Sequence, residues 1–428
     1  MFGTNMNITE KILSKAAGKE KVVPGEVIFA KLDGLMGHDQ KVSAFHTFEK
    51  KMNANKVFDA DKIWIVFDHH VPADTVNAAL QQKKMRHYIK KYQITHFYDV
   101  GQGGICHVVV PEKGLVKPGH VIIGGDSHTC TYGALGAFAT GVGNTDFAYA
   151  LAYGEVWLQV PSTVKVNCAG TLPDYVGGKD IILNLLGNIG IAGATYKALE
   201  FCGETVKSLS MADRFTICNM VVEAGAKNGI FLPDEITFDY LERIISLEPS
   251  RKEEWSLLKS DPDAHYEETI NIDCSRLSPQ VACPHLPDNV VNVEELKDIK
   301  IDQIFIGSCT NGRIEDLRRA AKILKGKKIS TSVRLIVIPG SQLTLRQAIR
   351  EGIWETFLNA GAILCPPTCG PCPGADLGLL AAGEVALSVS NRNFRGRMGD
   401  PDSEVYLASP AVAAASALTG YITHPGEV

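Results

Sequence analysis

Along the chain, short apolar runs end abruptly at polar residues or glycine, and stretches with helical spacing separate them. Lys62 to Phe67 (KIWIVF), Val121 to Gly124 (VIIG), Gln303 to Ile306 (QIFI) and Arg334 to Ile338 (RLIVI) are such runs. Continuous apolar stretches of this length predict strands buried on both faces, as in a parallel sheet. Asp74 to Tyr92 and Arg313 to Leu324 carry the helical pattern. Strands alternating with helices predict α/β layers. Val405 to Thr423 is uncharged but contains Ser409, Pro410, Ser416, Thr419 and Gly420. It reads as a buried small-residue helix, too polar to span a bilayer. Pro249 to Thr269 is charged, carries Pro262 and reads as a surface excursion. Ser278 to Val290 holds three prolines and no periodicity, the pattern of a linker. Boundaries near 160 and 285 divide the chain into expected units 1–160, 161–285 and 286–428.

Composition narrows the function classes. The chain has 428 residues, 45% apolar and 21% charged, which excludes a disordered or fibrous protein. Its 40 glycines exceed the usual share of about 7% and point to tight turns and glycine-lined pockets. The net charge is −5 with no basic block, so nucleic acid is not an expected partner. An anionic substrate must be met by a few placed arginines. Met1 to Asn7 lead into Glu10 and Lys11 without an apolar export segment, so a cytoplasmic protein with no membrane partner is expected, starting at Met1 or Met6. The 11 cysteines are then thiols rather than disulfides.

Residues capable of chemistry stand directly behind four apolar runs. Asp68-His69-His70 follow KIWIVF, and Asp126-Ser127-His128-Thr129 follow VIIGG. Ser308 to Arg313 (SCTNGR) follow QIFIG, and Cys365 to Cys372 (CPPTCGPC) follow AIL. Ligands of α/β folds bind at the carboxyl ends of strands, which is where these residues are expected.

Only Cys365, Cys369 and Cys372 cluster in sequence, and three readings are open. Structural zinc wants four ligands, so Cys309 or Cys365 would have to complete the single CxxC. Cys365, Cys369 and Cys372 also have the spacing of the cluster loop of radical S-adenosylmethionine enzymes, although Pro371 stands where that loop has an aromatic residue. The third reading places Cys309, Cys369 and Cys372 on an iron–sulfur cubane and leaves Cys365 as an apolar wall residue. Three thiolates on four irons leave one iron free to act as a Lewis acid. Lewis-acid removal of a hydroxyl needs acids and bases nearby, and histidine–carboxylate pairs supply them. Asp68-His69, Asp126 with His128, and His107 behind Gly101, Gly103 and Gly104 are candidates. Arg392 and Arg397 in NRNFRGR are either a solvated basic turn or a planar fork for carboxylates.

GDSHT (Gly125 to Thr129), GSCTNGR (Gly307 to Arg313), CGPC (Cys369 to Cys372) and SNRNFRGRMG (Ser390 to Gly399) resemble the motifs of the aconitase superfamily. Their order and spacing match over essentially the whole chain. The length resembles the large chains of the two-subunit branch, the isopropylmalate isomerases and homoaconitases. The resemblance implies three aconitase-like α/β/α domains around a central [4Fe–4S] cluster, without the swivel domain of single-chain members. One cluster per subunit would be held by Cys309, Cys369 and Cys372, with one iron lacking a protein ligand.

The same resemblance implies roles for other residues. Asn219 and Asn391 match asparagines that contact the cluster. Asp68 with His69, His107 with Asp126, and His128 with Glu223 match the catalytic histidine–carboxylate pairs. Arg392 and Arg397 match substrate-carboxylate arginines. Ser127 and His38, which stands where aconitases carry a glutamine, are further candidate substrate contacts. The family's serine base belongs to the swivel domain, and only 398–428 follow Arg397, so a small partner subunit is implied. The implied reaction is dehydration and rehydration of a hydroxy acid, with interconversion of 2- and 3-isopropylmalate in leucine biosynthesis favoured. Homoaconitase and 2,3-dimethylmalate dehydratase activities are the alternatives. A radical or electron-transfer iron–sulfur protein and a zinc-stabilised binding module are the rivals from other classes.

Overall fold

The computed structural model describes residues 5–374 and 376–428. Met1, one of the two candidate starts, lies outside them. Apolar runs become strands where expected, because residues on both faces of each find apolar neighbours. The first sheet contains β1 (Gly34–His38), β2 (Ile63–Val66), β3 (His96–Tyr98), β4 (Val121–Gly124) and β5 (Phe138–Gly141). Its order is β3-β2-β1-β4-β5, and every pairing is parallel. Ile63 and Ile65 face one core with Phe45, Phe138 and Phe147, while Trp64 and Val66 face another, the period-2 alternation of a strand.

The second sheet contains β6 (Thr163–Ala169), β7 (Ala198–Cys202), β8 (Asn228–Phe231) and β9 (Glu268–Asp273) in the order β8-β7-β6-β9, again all parallel. The third contains β10 (Gln280–Ala282), β11 (Val290–Asn292), β12 (Gln303–Ile306), β13 (Arg334–Val337), β14 (Ile363–Leu364), β15 (Val385–Ser388) and β16 (Glu404–Leu407). Its order is β11-β10-β16-β15-β12-β13-β14. β16, β15, β12, β13 and β14 pair in parallel, whereas β10 runs antiparallel to both β11 and β16. A two-stranded ribbon joins Val27–Lys31 to Glu155–Gln159. One core cluster passes from Trp64 and Ile122 through Val166 and Phe201 to Phe305 and Leu407, so the three large sheets share buried surface.

Two sequence expectations change. The run from Val405 to Thr423 is not one helix. Its start belongs to β16, where Val405 and Tyr406 suit a pleated surface. A helix, Pro410–Thr419, follows only after Ser409 accepts the Val412 N–H and Pro410 occupies the first turn. The stretch from Ser278 to Val290 is not simply a linker either, because Gln280–Ala282 form β10. Its prolines flank the paired residues and so remove no ladder hydrogen bond. The charged excursion at 249–269 holds one short helix, Pro249–Ser256, that buries Trp255 and leaves its other side chains wet.

Four helices stand beside the site: α1 (Cys106–Glu112), α2 (Gly178–Ile189), α3 (Met211–Met220) and α4 (Ile314–Leu324). The loop into α1 is fastened to the third sheet by main-chain bonds from Ile105 to Gly340 (2.8 Å) and from Gln342 to Gly103 (2.8 Å). Gly104 sits between them at φ +145°, and a Cβ there would lie 2.5 Å from the Gly340 oxygen. Gly104→Ala is therefore expected to destabilise the fold by about 1–3 kcal/mol through overpacking and backbone strain. Calorimetry should show a lowered unfolding midpoint, and an unchanged midpoint would disprove the close approach.

Candidate active site

The side chains singled out by sequence gather at the carboxyl ends of strands from different sheets. His38 ends β1, Asp68 and His69 follow β2, Asp126 follows β4, Cys309 follows β12 and Asn391 follows β15. A cleft of about 800 Å³ lined by Lys15, Lys117 and His120 lies at the opposite, amino-terminal end of the first sheet, away from this chemistry.

Three histidine–carboxylate pairs are in contact. His69 Nδ1 lies 2.6 Å from Asp68, His107 Nε2 lies 2.8 Å from Asp126, and His128 Nε2 lies 3.0 Å from Glu223. Asp126 also accepts the His128 amide at 2.8 Å. Both oxygens of Glu223 accept the Arg392 Nε–H, at 2.9 and 3.0 Å, and Arg392 Nη2 donates to Ser127 Oγ at 3.1 Å. His107 Nδ1 lies 3.2 Å from the Tyr132 hydroxyl, so both its ring nitrogens are engaged. His38 stacks on His69 with ring centroids 4.3 Å apart and reaches the Gly125 oxygen at 3.3 Å. Arg397 has its Nε buried with no hydrogen-bond partner among the described residues.

Burial and charge set the protonation states. Burial alone would favour neutral forms of both Asp68 and His69. Their mutual attraction, aided by Asp39 and Asp126 near His69, outweighs it. Asp68 is held at about 2 and His69 is raised to about 9, an ion pair at neutral pH. Burial and the neighbouring His69 cation push His38 down to about 4, so it is neutral. Burial would raise Asp126 and Glu223 as well, but their hydrogen bonds to His107, His128 and Arg392 hold both below the usual carboxylate range.

Cys309, Cys369 and Cys372 converge. Ser308 Oγ reaches Cys309 Sγ at 3.8 Å and Cys372 Sγ at 3.6 Å, the Cys372 amide donates to the Cys369 oxygen, and Cys369 packs with Cys309 against Ile105 and Val108. Asn219 Nδ2 donates to Cys309 Sγ at 3.2 Å and Asn391 Nδ2 does so at 3.4 Å. Thr310 ties the two asparagines together, donating to Asn219 at 2.8 Å and accepting from Asn391 at 3.0 Å. Cys365 is half-buried on a separate surface with Gln303, Arg334 and Leu377. Burial raises the Cys309 thiol to about 12, and the neighbouring cysteines push Cys309 and Cys369 the same way. Thiols so crowded become thiolates together only around a cation, and amide donors aimed at sulfur suit thiolates. The donor set therefore fits an iron–sulfur group.

Sequence reasoning passed over several contributors. The Asp39 carboxylate accepts the main-chain N–H groups of Asp68, His69 and His70 at 3.1–3.3 Å and shapes that turn. His38, Asp39, Asp68 and His69 bring donor atoms within 4.8 Å of one another. Asp39 is already saturated by amides and His69 carries its own charge, so this group is internally balanced rather than a cation site. Arg313 joins two sheets by donating to the oxygens of Cys309 (2.8 Å) and His107 (3.0 Å). Ser308 turns the chain at φ +72° between β12 and Cys309. Only the position of Asp39, one residue beyond β1, carried a signal that could have found it.

A strand-end site of this kind defines a class. The model of the aconitase family (aconitate hydratase) matches residues 10–298 and 292–420, and the chain belongs to that family. Within it, the chain is similar to the 3-isopropylmalate dehydratase large subunit of Syntrophus aciditrophicus, 53% identical over 423 residues and covering 99% of each chain. It is 52% identical to the large subunit of the same name from Moorella thermoacetica, covering 99% of each. It is 50% identical to the probable 3-isopropylmalate dehydratase large subunit of Methanothermobacter thermautotrophicus, covering 99% of this chain and 100% of that one. The crystal structure of Thermococcus kodakaraensis aconitase X aligns with a TM-score of 0.50 at 14% identity, over 92% of this chain and 90% of that one, a likeness of fold. No helix among the described residues is long and apolar enough to cross a membrane.

The Asp68–His69 pair should leave a mark on stability against pH. Asp68 is depressed in the fold, so its contribution is present above about 3.8 and lost as pH falls through about 2. His69 is raised, so its contribution is complete below about 6.5 and lost as pH rises through about 9. Denaturant unfolding of wild type and Asp68→Asn should therefore differ most between pH 4 and 6.5, the window these values bound. A difference independent of pH would show that the pair is not ionic.

Proposed function

We propose that the chain is the large subunit of a [4Fe–4S]-dependent hydro-lyase that interconverts 2-isopropylmalate and 3-isopropylmalate in leucine biosynthesis. The observation that carries this reading is the meeting of three thiols with three histidine–carboxylate pairs and Arg392 at one strand-end surface. Full-length likeness to large subunits of that name supports it. Cys309, Cys369 and Cys372 would hold one cluster, with Asn219 and Asn391 donating to the sulfur of Cys309. When bound, the cluster supplies a Lewis acid, an iron without a protein ligand that polarises a hydroxyl C–O bond.

The chain's own residues supply the rest. His69 Nδ1 is held by Asp68, while its Nε2 makes no hydrogen bond among the described residues, so that nitrogen can deliver a proton to a departing hydroxyl. His107 and His128 have both ring nitrogens engaged and hold Asp126 and Glu223 in place. Arg392 and Arg397 bind substrate carboxylates, with Ser127 and His38 lining the site. A separate small subunit supplies the serine base that exchanges the carbon-bound proton, and excludes water. We further propose that 1–160, 161–285 and 286–428 act as three α/β domains that bring the strand ends together. Cys365 takes no part in the cluster, because its surface is separate from that of Cys309.

The deciding experiment is an anaerobic assay of the reconstituted chain with and without a small subunit, offering isopropylmalate, homocitrate and 2,3-dimethylmalate in parallel. Turnover of isopropylmalate with saturable dependence on the small subunit is expected. Preference for either other acid would move the assignment within the family, and turnover by the chain alone would remove the need for a partner base.

Arg392→Lys and Arg397→Lys are expected to lose activity although charge is kept, because an ammonium cannot make two parallel bonds to a carboxylate. Loss of a charge-assisted bond costs roughly 1.5–3 kcal/mol, about one to two orders of magnitude in kcat/KM. Wild-type kinetics in both variants would place these arginines outside the site.

A further inference from the structure

Lys179, near the start of α2, is 2% exposed. Its Nζ donates to the main-chain oxygens of Val389 (3.0 Å) and Ser390. These are the two residues before Asn391 and Arg392, so one side chain fixes the approach of the segment that contacts Cys309 and Glu223. No carboxylate forms an ion pair with Lys179 among the described residues. Asp180, next in sequence, has its oxygens occupied by the amides of Gln280 and Gly177, each at 2.8 Å, and burial raises it to about 6. A buried ammonium without an anion is costly.

Burial pulls Lys179 down to about 7. The groups that oppose this are Asp180, Cys372, Asp316 and Cys309, so two of the three converging thiols are among them. Asp316 is a weak counter-charge, because its oxygens accept from Asn311 and the Arg313 amide and burial raises it to about 6. Thiolates are what could balance this cation.

We propose that Lys179 is a positioning residue for the thiolate site: its ammonium pins the backbone that carries Asn391 and Arg392, and it places a fixed positive charge whose counter-ions are Cys309 and Cys372 in thiolate form. The proposal rests on the cluster reading above. Lys179 touches neither substrate nor reacting atoms; it acts through its neighbours and through its field. A cation held in a dry site acts over several ångströms with little screening.

The test is an anaerobic redox titration of reconstituted protein, followed by visible absorbance and electron paramagnetic resonance, on wild type, Lys179→Met and Lys179→Arg. Removing the positive charge disfavours the more negative, reduced cluster. Lys179→Met should therefore lower the stability of the reduced state relative to the oxidised by about tenfold, a shift of ~59 mV to lower potential for a one-electron couple. Lys179→Arg should return the midpoint toward wild type. A Lys179→Met protein with wild-type iron and sulfide content and an unmoved midpoint overturns the proposal, as does a Lys179→Arg midpoint displaced as far as that of Lys179→Met. Should Lys179→Met fail to fold, judged by circular dichroism of the cluster-free chain, Lys179→Gln replaces it. Glutamine can still donate to a carbonyl but carries no charge, and the same two outcomes decide. Wild-type protein that shows no iron–sulfur absorption would sink the cluster reading itself, and the Lys179 proposal with it.

Discussion

The main-chain oxygen of Asp68 accepts two hydrogen bonds from the cysteine loop, one from the amide of Cys369 and one from the hydroxyl of Thr368, both at 2.9 Å. A carbonyl oxygen has two lone pairs, and here both join the first sheet to the third. The side chain of the same residue faces elsewhere, to His69 at 2.6 Å and to the amide of Cys106 at 2.8 Å. One position at the end of β2 therefore sets the cysteine loop, the ionised histidine and the first turn of the helix that carries His107. Asp39 in turn fixes the three amides of that turn. The precision of the site depends on a rigid strand end rather than on the loops that carry its thiols.

Charge is handled differently on the two sides of that junction. On the histidine side every carboxylate meets more than one donor: Asp126 meets His107 and the His128 amide, and Glu223 meets His128 and Arg392. A buried ion that loses its only partner is left uncompensated, and shared partners make the whole group stand or fall together. The thiol side is the reverse. Cys309 and Cys369, raised by burial and by neighbouring thiols, are met by amide donors on Cys309 and by no ion pair among the described residues. That imbalance is the strongest physical sign of what the site is built to receive.

Strands were legible where apolar runs stop at a polar residue, because burial on both faces leaves no alternation to misread: KIWIVF, VIIG and QIFI each contain a strand buried throughout. The polar residues that followed were therefore at strand ends, and the partner of His69 could be named from them, whereas Asp126 as the partner of His107 came only from the family resemblance. Val405 to Thr423 misled because uncharged composition does not separate a short strand from a helix. The capping geometry at Ser409 does, and it depends on where the chain turns. Arg313 and Lys179 went unnoticed for another reason. Each acts on main-chain atoms far away in sequence, 206 residues for Arg313 and His107 and 210 for Lys179 and Val389. No local pattern marks a side chain whose only task is to hold a distant carbonyl.

The two arginines of the NRNFRGR segment are held in different ways. Arg392 has its Nε on Glu223 and an Nη on Ser127, so its guanidinium plane is set before any ligand arrives. Arg397 donates its backbone amide to the Phe394 oxygen, and its buried Nε has no partner among the described residues. A buried donor left unsatisfied is unfavourable, and a carboxylate that reaches it recovers that loss on binding. Arg392 is therefore fixed in place by its partners, whereas Arg397 keeps a buried donor that nothing among the described residues meets. Gly396 between them, at φ +73°, gives the turn that lets both point from one short segment. Lys179 sits behind that segment, on the carbonyls of Val389 and Ser390, and so fixes the main chain from which Arg392 reaches Glu223 and Ser127.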